Sequence, residues 1–126
     1  MASASSSRAR RSRKSGDLSV TSAAGDHRAV IRHVVLWTFK DGVPQAEREA
    51  ILAAIRALES TVPSLRSLEV GLNVSPARAQ GYTHLLVETF DDRDGLAAYA
   101  SHPDHLPVVA RLRDAVSQLV AMDLEV

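Results

Sequence analysis

Ile31-Arg32-His33-Val34-Val35-Leu36-Trp37-Thr38-Phe39 decides the fold of this chain. Its period is two. Ile31, His33, Val35, Trp37 and Phe39 fall on one face of a strand; Arg32, Val34, Leu36 and Thr38 fall on the other. Large apolar side chains stand on both faces, Val34 and Leu36 opposing Val35 and Trp37. A strand of that kind belongs inside a sheet that is covered on both sides. Tyr82 to Phe90 repeats the pattern, with Leu85 and Val87 opposing Leu86 and Phe90.

Working outward, Asp41-Gly42 breaks the first strand and Pro44 suits a first helical turn. The helix is expected to run to about Ser60, with Ile51, Ile55, Leu58 and Val62 at helical spacing, and Pro63 stops it. Leu65 to Val74 reads as the second strand, its Leu68, Val70, Leu72 and Val74 forming the apolar face. Ser75-Pro76 and Gln80-Gly81 bound a loop before the third strand, Tyr82 to Phe90. Asp91-Asp92 caps a short helix over Asp94 to Ala100. Pro103 opens a further helical segment with Val108, Val109, Leu112 and Val116 on one side, and Leu119 to Val126 is the last strand. The order β-α-β-β-α-β predicts an α+β, ferredoxin-like subunit with an antiparallel four-stranded sheet. Two helical regions cover one face only. The other face is apolar and needs a partner, so the chain is expected to form a homodimer with its sheets face to face, a dimeric α/β barrel.

Composition narrows the function. The net charge of zero hides an asymmetry: residues 1–27 carry five basic and two acidic groups, residues 28–126 ten basic and thirteen acidic. An acidic folded part is a poor nucleic-acid binder. No apolar run reaches the ~18 residues of a membrane span. The absence of cysteine excludes a disulfide scaffold and a thiolate metal site and suits the cytoplasm. Residues 1–27, rich in Ser, Ala and Arg, read as a disordered tail, a transit peptide, or sequence upstream of a natural start near Val30. The domain then spans 28–126. Asn73-Val74-Ser75 matches a glycosylation sequon, discounted because no secretory segment precedes it.

The proton chemistry is concentrated. The chain has two tyrosines and five histidines, and Tyr99-Ala100-Ser101-His102-Pro103-Asp104-His105 holds one of the former and two of the latter. A neutral imidazole can take a proton alpha to a carbonyl, and a phenol can hold the enolate oxygen. His105 is the candidate base and Tyr99 the candidate oxyanion donor. The same residues also suit a plain core role. His102, before Pro103, reads as a turn residue. His33 and His84 share the face of Trp37 and Leu86, where they line a ligand pocket, with Trp37 as a contact, or satisfy each other inside the core. Glu88 lies on that face too, as a second acid/base, as an orienter of a histidine, or at the solvent end of its strand. The histidines come from distant segments with no HxH or HExxH spacing, so neither a metal nor another cofactor is expected.

These stretches resemble one family. Ile31 to Gly42, Val62-Pro63-Ser64-Leu65 with Val70 to Ser75, and Gly81-Tyr82-Thr83-His84 with Tyr99 and His102-Pro103-Asp104-His105 are similar to the stress-responsive A/B barrel domain family. The resemblance covers about residues 30–126 and implies the same ferredoxin-like dimer. Many members are known only as stress-responsive. One plant member closes a linear polyketide by aldol condensation with a Tyr–His pair, matched here by Tyr99 and His105, and its further pocket histidines match His33 and His84. The resemblance therefore implies a cofactor-independent, polyketide-cyclase-like or lyase-like enzyme with a small apolar or polyketide-like ligand. The alternative it leaves open is a non-catalytic, stress-related dimer that binds an apolar ligand or a protein. A haem-degrading enzyme of the same general fold would need a haem-ligating histidine in the pocket.

Overall fold

The first strand, β1, runs Ile31–Phe39 and pairs antiparallel with a strand on each side. This description rests on a computed structural model and covers residues 30–126; the expected tail, 1–27, lies outside the described residues. The other elements are α1 (Gln45–Thr61), β2 (Leu65–Leu72), β3 (His84–Phe90), α2 (Arg93–Ala100), α3 (Leu106–Ala115) and β4 (Val116–Glu125). The sheet order is β2-β3-β1-β4. β1 and β3 are thus the two central strands, which is why both are apolar on both faces. The ferredoxin-like subunit expected from the alternation is the one observed.

The helices cover one face. α1 buries Ile51, Ile55 and Leu58, a stripe at helical spacing. Together with Val35, Trp37, Phe39, Leu86, Leu112 and Ala115, two of these, Ile51 and Ile55, form one apolar cluster. Ile31, Leu58, Val62, Leu65, Phe90 and Tyr99 form a second at the other end of the sheet. Each such aliphatic or aromatic side chain contributes about 1.5–3 kcal/mol on full burial. On the rim, Arg111 of α3 grips Glu47 of α1 through two hydrogen bonds of 2.8 and 2.7 Å.

Element ends differ from the expected ones for local reasons. β2 stops at Leu72, not Val74: the Asn73 amide still donates to Thr83, but the chain then bends into a single 3-10 turn at Pro76–Arg78. Val74 therefore leaves the sheet, and Leu72, the last residue of β2 and still opposite His84, is exposed at its end. Tyr82 is held in that loop through its amide, which donates to the Ala79 carbonyl, so β3 begins at His84. Gln80 and Gly81 turn the chain back with positive φ, at +53° and +91°. The second helical region is two helices, and α3 starts at Leu106 rather than Pro103. Pro103 keeps His102 out of helical geometry and has no N–H, so residues 101–105 form a turn and Pro107 takes the first-turn position. β4 follows α3 directly and begins at Val116 rather than Leu119.

The helix-free face carries half-buried Val34, Leu36, Leu85 and Val87. β4 extends it: Val120 sits opposite Leu36, Met122 opposite Val34, and Leu124 opposite Arg32. Met122 and Leu124 are more than half exposed. No helix among the described residues is long and apolar enough to cross a membrane.

The Asp92 carboxylate accepts the Gly95 amide and caps α2, the helix that delivers Tyr99. Asp92→Ala is expected to remove about 1 kcal/mol of stability and to lower the thermal midpoint by about 4–8 °C. An unchanged midpoint contradicts the cap.

Candidate functional site

The β1–β3 register sets two polar spots in the helix-covered layer. His33 sits opposite Glu88, and Trp37 opposite His84. They are four residues apart along each strand, roughly 13 Å at about 3.3 Å per residue. His33 and His84 therefore neither satisfy each other nor share a ligand ion.

The first spot is built around Glu88. Its side chain is fully buried, and the Tyr99 hydroxyl donates to its Oε2. Its Oε1 has no partner. The expectation that Glu88 sits at the solvent end of its strand is overturned: β3 is central, and the inward position of residue 88 lies under α2. Tyr99, 3% exposed, is the inward residue of α2 and packs its ring on Phe90 at 5.1 Å. The His105 ring packs against it too, 4.1 Å from Tyr99 between centroids. His33 completes the group across the strand pair and donates through Nδ1 to Asp123 of β4 at 2.6 Å.

Burial pushes the Glu88 carboxyl up to about 7; the Tyr99 hydrogen bond and nearby His33 oppose the rise and do not cancel it. Tyr99 is driven above its ordinary value by burial and by the Glu88 carboxylate, so it stays a phenol. His105 is pushed down, first by burial, with the Ala100 carbonyl acting against it and His33, His102 and Arg113 adding to it. Its Nδ1 lies 3.2 Å from the Ala100 oxygen. A carbonyl only accepts, so Nδ1 carries the proton and the neutral ring presents its lone pair at Nε2. His102 serves the turn: its Nδ1 accepts the Asp104 amide at 3.0 Å.

The second spot is aromatic. His84 stacks on Trp37 with centroids 5.7 Å apart and meets the Phe39 ring edge-on at 5.0 Å. Its Nδ1 is 2.8 Å from the Thr83 hydroxyl. Burial lowers its proton affinity, and the Arg48 guanidinium, which covers Phe39, adds to that. Trp37 is fully buried and its indole nitrogen has no partner. A cavity of about 600 Å³ opens beside this end, lined by Leu36, Asn73, Arg78, Tyr82 and His84 among others. Of the candidate catalytic and substrate-binding residues read from sequence, it touches only His84.

The structure thus brings Tyr99, His105 and His33 together and leaves His84 and Trp37 apart. Sequence reasoning missed the Asp123 partner of His33 and the Glu88–Tyr99 bond. A Glu at an inward position between Leu86 and Phe90 was the available signal for the second. The first needed the β1–β4 register.

Glu88 makes stability depend on pH in a defined direction. Its folded value lies above the usual carboxylate value, so the folded chain binds the extra proton between about 4.5 and 7. The stability it adds is present at low pH and is lost as pH rises through that window. His84 and His105 shift the opposite way and act equally in both proteins compared. Glu88→Gln is therefore expected to gain on the wild type as pH rises, by on the order of 2–3 kcal/mol at pH 8. Chemical denaturation at pH 5 and pH 8 measures it; a difference independent of pH contradicts the buried acid.

The family model of the stress responsive A/B barrel domain matches residues 31–126, which takes in every strand and helix described above. The stress-response A/B barrel domain-containing protein HS1 of Arabidopsis thaliana is 28% identical over 94 residues, 74% of this chain and 86% of the relative. Olivetolic acid cyclase of Cannabis sativa is 26% identical over 77 residues, 60% of this chain and 76% of the relative. Among solved structures, the hydroxynitrile lyase from Passiflora edulis shares the fold with a TM-score of 0.75 at 22% identity, over 79% of this chain and 95% of that one. A dimeric ferredoxin-like protein of unknown function from Thermobifida fusca gives 0.69 at 27% identity, over 79% and 92%. This chain belongs to the stress-responsive A/B barrel domain family.

Proposed function

We propose that this protein is a homodimer with a small-molecule site at Tyr99 and His105, acting without a cofactor on a ketone-bearing, polyketide-like substrate. The observation that carries the reading is the pairing itself. A neutral His105, its Nδ1 proton held by the Ala100 carbonyl, presents a basic Nε2 beside the Tyr99 ring. His105 takes a proton from the carbon alpha to the ketone. Tyr99 donates to the enolate oxygen that forms, and the enolate carbon attacks a second carbonyl or expels a leaving group. His33, across the strand pair from Glu88, orients the substrate; His84 and Trp37, roughly 13 Å further along the strands, stay outside this site. The relationship to olivetolic acid cyclase supports this substrate class.

The dimer is supported by the apolar helix-free face and by the description of several similar structures as dimeric. Face-to-face packing of two sheets covers Val34, Leu36, Leu85, Val87 and Met122. A second reading is a non-catalytic, stress-related dimer that binds an apolar ligand or a protein. The tight enclosure of Tyr99, 3% exposed with its hydroxyl on Glu88, favours it.

One experiment separates these readings, and a second tests the dimer common to both. A linear poly-β-keto substrate is expected to cyclise with the wild type and to slow by about 10²–10⁴-fold with His105→Ala; equal turnover removes the base. Sedimentation at micromolar concentration is expected to give a dimer, and Met122→Asp with Leu36→Asp a monomer. A wild-type monomer contradicts the sheet-to-sheet interface.

A further inference from the structure

A phenol has one proton to give, and in this fold Tyr99 gives it to Glu88. While that bond stands, the hydroxyl has nothing left to donate to a substrate oxygen. We propose that Glu88 and Tyr99 form a proton switch, in which protonation of Glu88 reverses their hydrogen bond and frees the Tyr99 proton for an enolate or carbonyl oxygen. In the reversed state the Glu88 carboxyl donates its own proton to Tyr99 Oη, and Tyr99 Oη–H points away from Glu88. No bond to carbon changes and no proton leaves the pair, so the proton that His105 takes from the substrate is separate. Glu88 is a positioning residue, because it acts through Tyr99. The inference rests on the reading of Tyr99 as the oxyanion donor.

The surroundings suit two protonation states. Glu88 is fully buried, and Oε1 has no donor. An ionised carboxylate so placed keeps a large desolvation cost, and a neutral one sheds it. The groups facing it are few. From β1 comes His33, whose Nδ1 proton is committed to Asp123 of β4. From β2 comes Leu68, opposite Glu88 and apolar. From α2 comes Tyr99, whose ring has His105, in the turn before α3, packed against it; His102 in turn acts on His105. α1 contributes the apolar Leu58 to this end of the core. No Lys or Arg is hydrogen-bonded or ion-paired to Glu88 among the described residues. The burial that raises the Glu88 carboxyl to about 7 places both states within reach at neutral pH.

The switch is read at Tyr99 itself. The chain has only two tyrosines, so ¹³C labelling of tyrosine Cζ gives two resonances, and Tyr82→Phe assigns them. Tyr99 Cζ is expected to show a step near pH 7 with the same midpoint as the Glu88 carboxyl carbon of a glutamate-labelled sample. The step is expected to vanish in Glu88→Gln and to persist in His105→Ala. A step that survives Glu88→Gln, or one that follows His105 instead, overturns the switch; so do different midpoints for Glu88 and Tyr99 in the wild type. Acetylacetone, a 1,3-diketone that mimics the enolate, is then titrated at pH 6 and pH 8. It is expected to bind the wild type about tenfold tighter at pH 6 and Glu88→Gln equally at both. Reversal of that order in the wild type overturns the switch. Failure of the diketone to bind at any pH, with the coupled step intact, removes the substrate reading and upholds the switch.

Discussion

The antiparallel register of β1 on β3 is the constraint from which the site follows. It places His33 across from Glu88 and Trp37 across from His84, on the face that the helices cover. A shift of one residue turns each of these side chains to the other face. The apolar neighbours hold the register: Ile31 and Phe90 at one end, Val35 and Leu86 in the middle, all buried. The polar residues ride on a pairing that they do not themselves stabilise.

Glu88 is where stability and chemistry conflict. Its place in the layer between Leu86 and Phe90 suits an apolar side chain, and only one of its oxygens has a partner. A carboxyl there costs more than a Val or Leu of similar shape. The same burial keeps Tyr99 a phenol and His105 a neutral base. Water-free surroundings also strengthen each hydrogen bond in the group. Residues that break the local pattern in this way are expected at working sites, where specificity of chemistry offsets lost stability.

The strands and α1 were legible because their information is local. Ile31 to Phe39 shows its alternation unaided, and Ile51, Ile55 and Leu58 mark their own stripe. The end of β2 and the start of α3 were not. Val74 continues the alternation on paper, yet the turn at Pro76 pulls the chain away after Leu72; Pro103 looks like a helix start, yet Pro107 takes that position. The site was half legible. Tyr99 and His105 stand six residues apart in sequence, so their meeting depends on one turn. Glu88 with Tyr99, and His33 with Asp123, depend on strand pairing across the sheet and on the packing of α2, which one sequence does not display. For the same reason the separation of His84 from the other rings appears only once the register is known.

The most direct measurement is a crystal structure with acetylacetone bound. The account predicts a ligand oxygen within hydrogen-bond distance of Tyr99 Oη and the central ligand carbon facing His105 Nε2. A ligand seated instead in the cavity beside Arg78 and Tyr82, with the Tyr99 hydroxyl still donating to an ionised Glu88, contradicts it.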